Sequence, residues 1–176
     1  RAFFNARLGF LVRAPDAAAR DTLVTKAQRN DAGYVADRVY WLRLSGLTQE
    51  ARSYLSQPRQ LNAPPLDPVK WLETLESNIR AAVADQQHSD AVSIARQLES
   101  TYPTGTLVRE RPFAERDNYT DIAWLGGNAA LNKLGRPADA IRLFELYAQA
   151  ARSAQTRAKG FYWAGRAAEA AGRRDV

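Results

Sequence analysis

The sequence predicts an all-α fold, a superhelical array of antiparallel helix hairpins. Three observations predict it. Apolar residues recur at three- and four-residue steps through most of the chain, no segment alternates as a strand would, and glycine-centred breaks return at intervals near forty residues.

In chain order, helices are expected over 2–13 and 16–29. The first includes the apolar stretch "AFFNARLGFLVR", whose internal arginines argue against a membrane span or a secretion signal. A third helix, 32–45, carries Val35, Val39 and Leu42 on one face, and a fourth, 48–56, carries Ala51 and Leu55. The fifth, 68–85, is the most sharply written, with Leu72, Leu75, Ile79 and Val83 on one face and Glu73, Ser77 and Arg80 elsewhere. Asp67 before Pro68 supplies its start: the carboxylate serves free amides of the first turn, and proline gives up an N–H that has no partner there. Helices over 89–101, 117–133, 137–151 and 154–171 complete the series. Pro58, Pro64 and Pro65 mark one linker, and Pro103, Gly105 and Pro112 mark a longer one.

Laid against itself, the chain repeats. Trp124, Asn128, Leu131, Gly135, Ala140 and Phe144 share their spacing with Val35, Val39, Leu42, Gly46, Ala51 and Leu55; Phe161, Gly165, Ala168 and Gly172 repeat the first half. A degenerate copy runs Leu75, Ile79, Ala82, Gln86, Ala91 and Ala95, with Gln86 in place of glycine. The glycine supplies a left-handed cap, and the alanine five positions on lets the second helix lie close against the first. This is the pattern of a tetratricopeptide-like α-solenoid, made irregular by an insertion at 103–116. After Gly172 a second helix is due, so the protein is expected to continue past Val176.

Composition sets further limits. The chain has 176 residues and neither cysteine nor methionine, which excludes disulfide and thiolate chemistry and suggests that Arg1 is a cut end. Twenty-one arginines and four lysines give a net charge of +6, but they are scattered among acidic residues, so they read as solvated helix faces rather than a nucleic-acid stripe. A basic surface also suits an anionic polymer. No cofactor or metal site is expected. The single histidine, His88, has no companion for catalysis or metal binding and reads as an exposed turn residue. "LGGN" at 125–128 reads as a close helix approach rather than a phosphate loop. Glu73 with Glu76, and Glu115 with Asp117, read as solvated salt links. Trp41, Trp71, Trp124 and Trp163 each sit in the first helix of a hairpin, and packing is the preferred reading for Trp71 and Trp124.

The stretch "WLGGNAALNKLGRPADAIRLFELYAQAARSAQTRAKGFYWAGRAAEAAG" within 119–175 resembles the α-superhelical region that precedes the catalytic domain of soluble lytic murein transglycosylases. "DRVYWLRLSGLTQEARSYL" and "PPLDPVKWLETL" are similar to the same region, so the resemblance spans nearly the whole chain. It implies one superhelical segment over 1–176, truncated at both ends, in a periplasmic enzyme acting on peptidoglycan. In that family a separate lysozyme-like domain cleaves the glycan strand through a single glutamate, in the setting Glu-Ser, Gly-Leu-Met-Gln, Ala-Tyr-Asn. Here Glu76–Ser77 and Glu99–Ser100 lack the rest, so no catalytic residue carries over. The implied partners are glycan strands, through the parent enzyme, and the enzyme's own catalytic domain. The alternative is a tetratricopeptide-like adaptor that binds a peptide or partner protein.

Hairpin geometry places any ligand along the first helices. With Val35, Leu75 and Phe161 as inward anchors, Ala36 and Tyr40, Glu76 and Arg80, and Tyr162 and Arg166 face a groove, with Arg43 one turn beyond Tyr40. Tyrosine faces beside guanidinium groups suit sugar rings and carboxylates. The competing expectation is that these arginines bridge neighbouring hairpins through Asp and Glu.

Overall fold

Helix α5, Pro68–Ala84, begins as its sequence dictates, with the Asp67 side chain accepting from the Lys70 N–H at 3.0 Å and Pro68 in the first turn. Trp71, Leu72, Leu75, Ile79 and Ala82 are buried along its inner face. The computed structural model describes residues 1–172; the second helix expected after Gly172 lies outside them. Those residues hold nine α-helices and no strand: α1 Ala2–Leu11, α2 Ala17–Thr22, α3 Ala32–Leu44, α4 Thr48–Ser56, α5, α6 His88–Ala95, α7 Phe113–Asn128, α8 Pro137–Ala150 and α9 Ala154–Ala170. None of these helices is long and apolar enough to cross a membrane.

The elements pack in sequence order. Helix α1 lies on α2 and α3, α3 on α4 and α5, α5 on α6 and α7, and α8 on both α7 and α9, while α4 also meets α6. One continuous apolar cluster runs from Ala6 and Phe10 through α5 to Ala164 and Ala168.

All four expected turn positions take a left-handed backbone, with φ of 78° at Gly46, 59° at Gln86, 60° at Gly135 and 73° at Gly172. At Gly46 the bonds Leu47 N–H to Leu42 O and Gly46 N–H to Arg43 O close a Schellman cap, and Gln86 and Gln87 repeat it against Val83 and Ala82. Arg13, with φ of 54°, forms the same cap after α1, a fifth turn hidden in the sequence by its arginine. Ala51, Ala91 and Ala140, five positions after their turns, are fully buried.

Helix α1 ends at Leu11 rather than at residue 13, and four further stretches differ from the sequence reading. The expected helix 16–29 breaks at Thr22 and resumes as a short 3₁₀ turn, Gln28–Asn30. "TKAQ" is a capping box there: the Thr25 N–H donates to the Gln28 carboxamide at 3.1 Å, and the Gln28 N–H donates to the Thr25 hydroxyl at 3.4 Å. Helix α6 tightens into a 3₁₀ segment, Arg96–Ser100, from which the Gln97 amide donates to the Leu55 carbonyl at the end of α4. Helix α7 starts at Phe113, four residues early, because its first turn is held by Arg111 and Glu115 while Phe113 itself is exposed and adds nothing to the apolar period. Beyond Asn128 the helix continues as a wider π-helical turn, Ala129–Lys133, and the Asn128 side chain donates to the Trp124 carbonyl at 3.0 Å.

The glycines of "LGGN" sit where α7 meets its neighbours. A Cβ on Gly127 would lie 2.7 Å from the Phe144 ring, and one on Gly126 would strike Ala95. Trp71 is buried, and Trp124 packs against Phe144, Tyr147 and Trp163 at ring separations of 5.5, 5.2 and 6.2 Å, with the Lys159 ammonium 3.6 Å from its ring centre.

Candidate binding groove

The groove is built between α3 and α5. Backbone spacing on α3 sets Ala36, Val39, Tyr40 and Arg43 along one side, and on α5 the polar stripe Lys70, Glu73, Thr74 and Ser77 forms the other, enclosing about 340 Å³. A second hollow of about 320 Å³ adjoins it, sharing Ala36 and Lys70 and roofed by the Pro64–Pro65 linker. The Tyr40 ring is half-exposed. Arg43 reaches across to α5, donating to the Ser77 hydroxyl at 2.6 Å.

Next to the groove lies a buried ion cluster that ties three helices. Asp37 of α3 is fully buried and takes hydrogen bonds from Arg7 of α1, at 2.6 Å, and from Lys70 of α5. Arg7 also reaches Asp31, the residue that caps α3 through the Tyr34 N–H at 2.8 Å. The guanidinium lies so close over Gly33 that a Cβ there would approach it to 2.6 Å. One row over, Asp21 of α2 collects Arg29, Arg38 and the Tyr34 hydroxyl.

The sequence-derived site residues are placed as follows. Tyr40 and Arg43 share the α3–α5 groove. Arg80 lies outside it, further along α5, paired with Glu76 at 2.9 Å and with Asp121 of α7. The hydrogen bond to Glu76 raises its pKa from an already high value, and burial raises that of Asp121 against the pull of Arg80. Tyr162 and Arg166 are exposed together on α9, with the guanidinium 3.4 Å from the hydroxyl, and Arg166 also pairs with Glu169 at 3.5 Å.

Two of the three anchors behave as expected. Val35 and Leu75 are fully buried, whereas Phe161 is about half exposed. The inward face of α9 is instead Gly160, Ala164, Ala167 and Ala168, because Gly160 sits flush on α8, its absent Cβ 2.7 Å from Ala148. Two further readings change. His88 opens α6 half-buried rather than in an exposed turn, with Nδ1 unpartnered. Glu115 is buried, not solvated: Arg111 grips it with two bonds and the Tyr102 hydroxyl donates to it at 2.6 Å. Burial pushes its carboxyl up, but those hydrogen bonds outweigh burial and hold it below the usual range.

Sequence reasoning missed Lys70, Thr74 and Ser77 as groove residues. Their signal was present as the polar stripe beside the apolar face of α5; what it lacked was the identity of the neighbouring helix. Chemically the groove offers aromatic, cationic and hydroxyl contacts, the carboxylate of Glu73 and the carboxamide of Asn78. Among the described residues, no three carboxylate or imidazole side chains gather to hold a metal ion. Compared with protein-family models, curated proteins and solved structures, the chain matches none.

Proposed function

We propose that the chain is a tetratricopeptide-like superhelical segment of a periplasmic lytic murein transglycosylase, without catalytic residues of its own, which positions a lysozyme-like domain on peptidoglycan. One observation carries the glycan part of this reading. On α3 a half-exposed tyrosine stands beside an arginine in an open groove, and on α9 Tyr162 and Arg166 repeat the pairing. A tyrosine face stacks on the apolar side of a sugar ring, and guanidinium groups pair with carboxylates of an anionic polymer. The wording of the α7–α9 sequence, the left-handed turns and the packing of helices in chain order support the superhelical and family parts. The test is the protein sequence encoded downstream of Val176. A Glu-Ser, Gly-Leu-Met-Gln, Ala-Tyr-Asn series there is the expected result; a downstream sequence without it overturns the enzyme reading in favour of an adaptor.

A further inference from the structure

A separate cavity of about 460 Å³ opens between the linker after α4 and the end of α6, within the size range of small-ligand sites. Its wall combines the guanidiniums of Arg59 and Arg96 with the carboxamides of Gln57 and Gln97 and the Ser93 hydroxyl, against one carboxylate, Glu99. Glu99 is already held by Arg142 of α8. Arg96 is exposed and lies 3.4 Å from Asp139 of α8, a carboxylate that Arg136 also holds at 3.0 Å, so an arriving anion shares Arg96 with Asp139. Arg59 is anchored through two of its nitrogens, Nη2 on the Tyr54 carbonyl and Nε toward the Gln57 carbonyl at 3.5 Å, and its guanidinium stacks 4.6 Å from the Tyr54 ring centre. It is thus a positioned cation, and burial lowers its pKa against the support of Tyr54. A partly desolvated guanidinium gains more from an arriving anion than a freely hydrated one does. Gln97 is about nine-tenths buried; its Nε2 is committed to the Leu55 carbonyl, which fixes the amide's orientation and leaves Oε1 without a partner.

That set of groups selects a ligand class. The wall holds no aromatic ring for stacking a base or sugar, and its one carboxylate is neutralised, so neither a nucleotide nor a cation is suited. Two guanidiniums call for a carboxylate, and the Gln57 carboxamide, with donor and acceptor, and the Gln97 Oε1, an acceptor, match peptide groups. We propose that this cavity binds the C-terminal end of a short peptide, with Arg59 and Arg96 taking the α-carboxylate, the Gln57 carboxamide pairing with the last peptide unit and the Gln97 Oε1 accepting from its N–H. The cavity lies on the α4–α6 row and shares no residue with the α3–α5 groove, so this inference stands independently of glycan binding.

Two-dimensional ¹H–¹⁵N NMR of the whole chain, titrated with the dipeptide Ala-Ala and with its C-terminal amide, tests it. Millimolar free acid is expected to shift Ser93, Gln97 and Ser100 saturably, while the amide binds roughly tenfold more weakly, the effect of losing a charge-assisted pair. Arg96→Ala, at an exposed position, weakens the acid selectively, and Ser93→Leu abolishes the response by filling the cavity; unchanged spectra elsewhere show that both variants fold. Absent shifts, equal shifts for acid and amide, or shifts centred on Tyr40 and Arg43 overturn the proposal.

Discussion

The Arg111 guanidinium and the Glu115 carboxylate meet in a two-bond fork, Nε to Oε2 at 2.9 Å and Nη2 to Oε1 at 3.1 Å, across the first turn of α7. Because the folded Glu115 carboxyl has a lowered pKa, its stabilisation is fully present above the unfolded carboxylate pKa and is lost as pH falls through the folded value. Glu115→Gln is therefore expected to lower stability at pH 7 by roughly 2 kcal/mol and to flatten the decline on acidification below about pH 5. Urea unfolding of both proteins across pH 3–7 measures this; parallel curves contradict it.

The two non-glycine residues in the left-handed region among the described residues, Gln86 and Arg13, give a second expectation. A side chain there costs about 1–2 kcal/mol, and glycine returns part of that as unfolded-chain entropy. Gln86→Gly should thus stabilise by roughly 0.5–1 kcal/mol, and Gly46→Ala should destabilise by about 1 kcal/mol. Thermal melting reads both, with shifts of a few degrees in opposite directions.

Two glycines of α9 should respond in opposite ways to alanine. At Gly160 a Cβ would meet the Ala148 backbone Cα at 2.9 Å and the Tyr147 ring at 2.8 Å, so α9 must shift from α8, at a cost of about 1–3 kcal/mol. At Gly165 nothing lies within 4 Å, and Gly165→Ala gains helix propensity of about 1 kcal/mol. Equal effects at both positions in chemical denaturation contradict the close α8–α9 contact.

Asp37 provides a test of the three-helix cluster. Its carboxylate is fully buried while Arg7 and Lys70 keep a third or more of their side chains in solvent, so either cation can be lost with its partner still in place. Arg7→Met and Lys70→Met are each expected to cost about 1–2 kcal/mol, and the double variant more than their sum, because it leaves a bare buried charge. A double-mutant cycle in urea measures the excess; additivity contradicts the shared role of Asp37.

The sequence carried the helices and four of the turns because both are local. Asp67–Pro68, the Leu72–Ile79 face and Gly46 act within a few residues of themselves. The capping box at Thr25 and Gln28 was also local, but a continuing run of helix-compatible residues masked it. The rotation of α9 was not local: it depends on Gly160 meeting Ala148 of α8, and no pattern inside α9 distinguishes that face from the one carrying Phe161. For the groove, Tyr40 and Arg43 were legible from hairpin geometry, whereas Lys70 and Ser77 required knowing that α5 is the helix beside α3.

Cosedimentation of the chain with purified peptidoglycan sacculi at low ionic strength tests the glycan reading most directly, using Tyr40→Ala/Arg43→Glu as the comparison. Both side chains face solvent, and among the described residues the one side-chain bond removed is that to Ser77, so the variant is expected to fold and to unfold at nearly the parent temperature. The parent is expected to pellet with the sacculi, more weakly as salt screens its arginines, and the folded variant to remain largely in the supernatant. Equal pelleting of parent and folded variant at low salt contradicts a glycan-binding role for the α3–α5 groove.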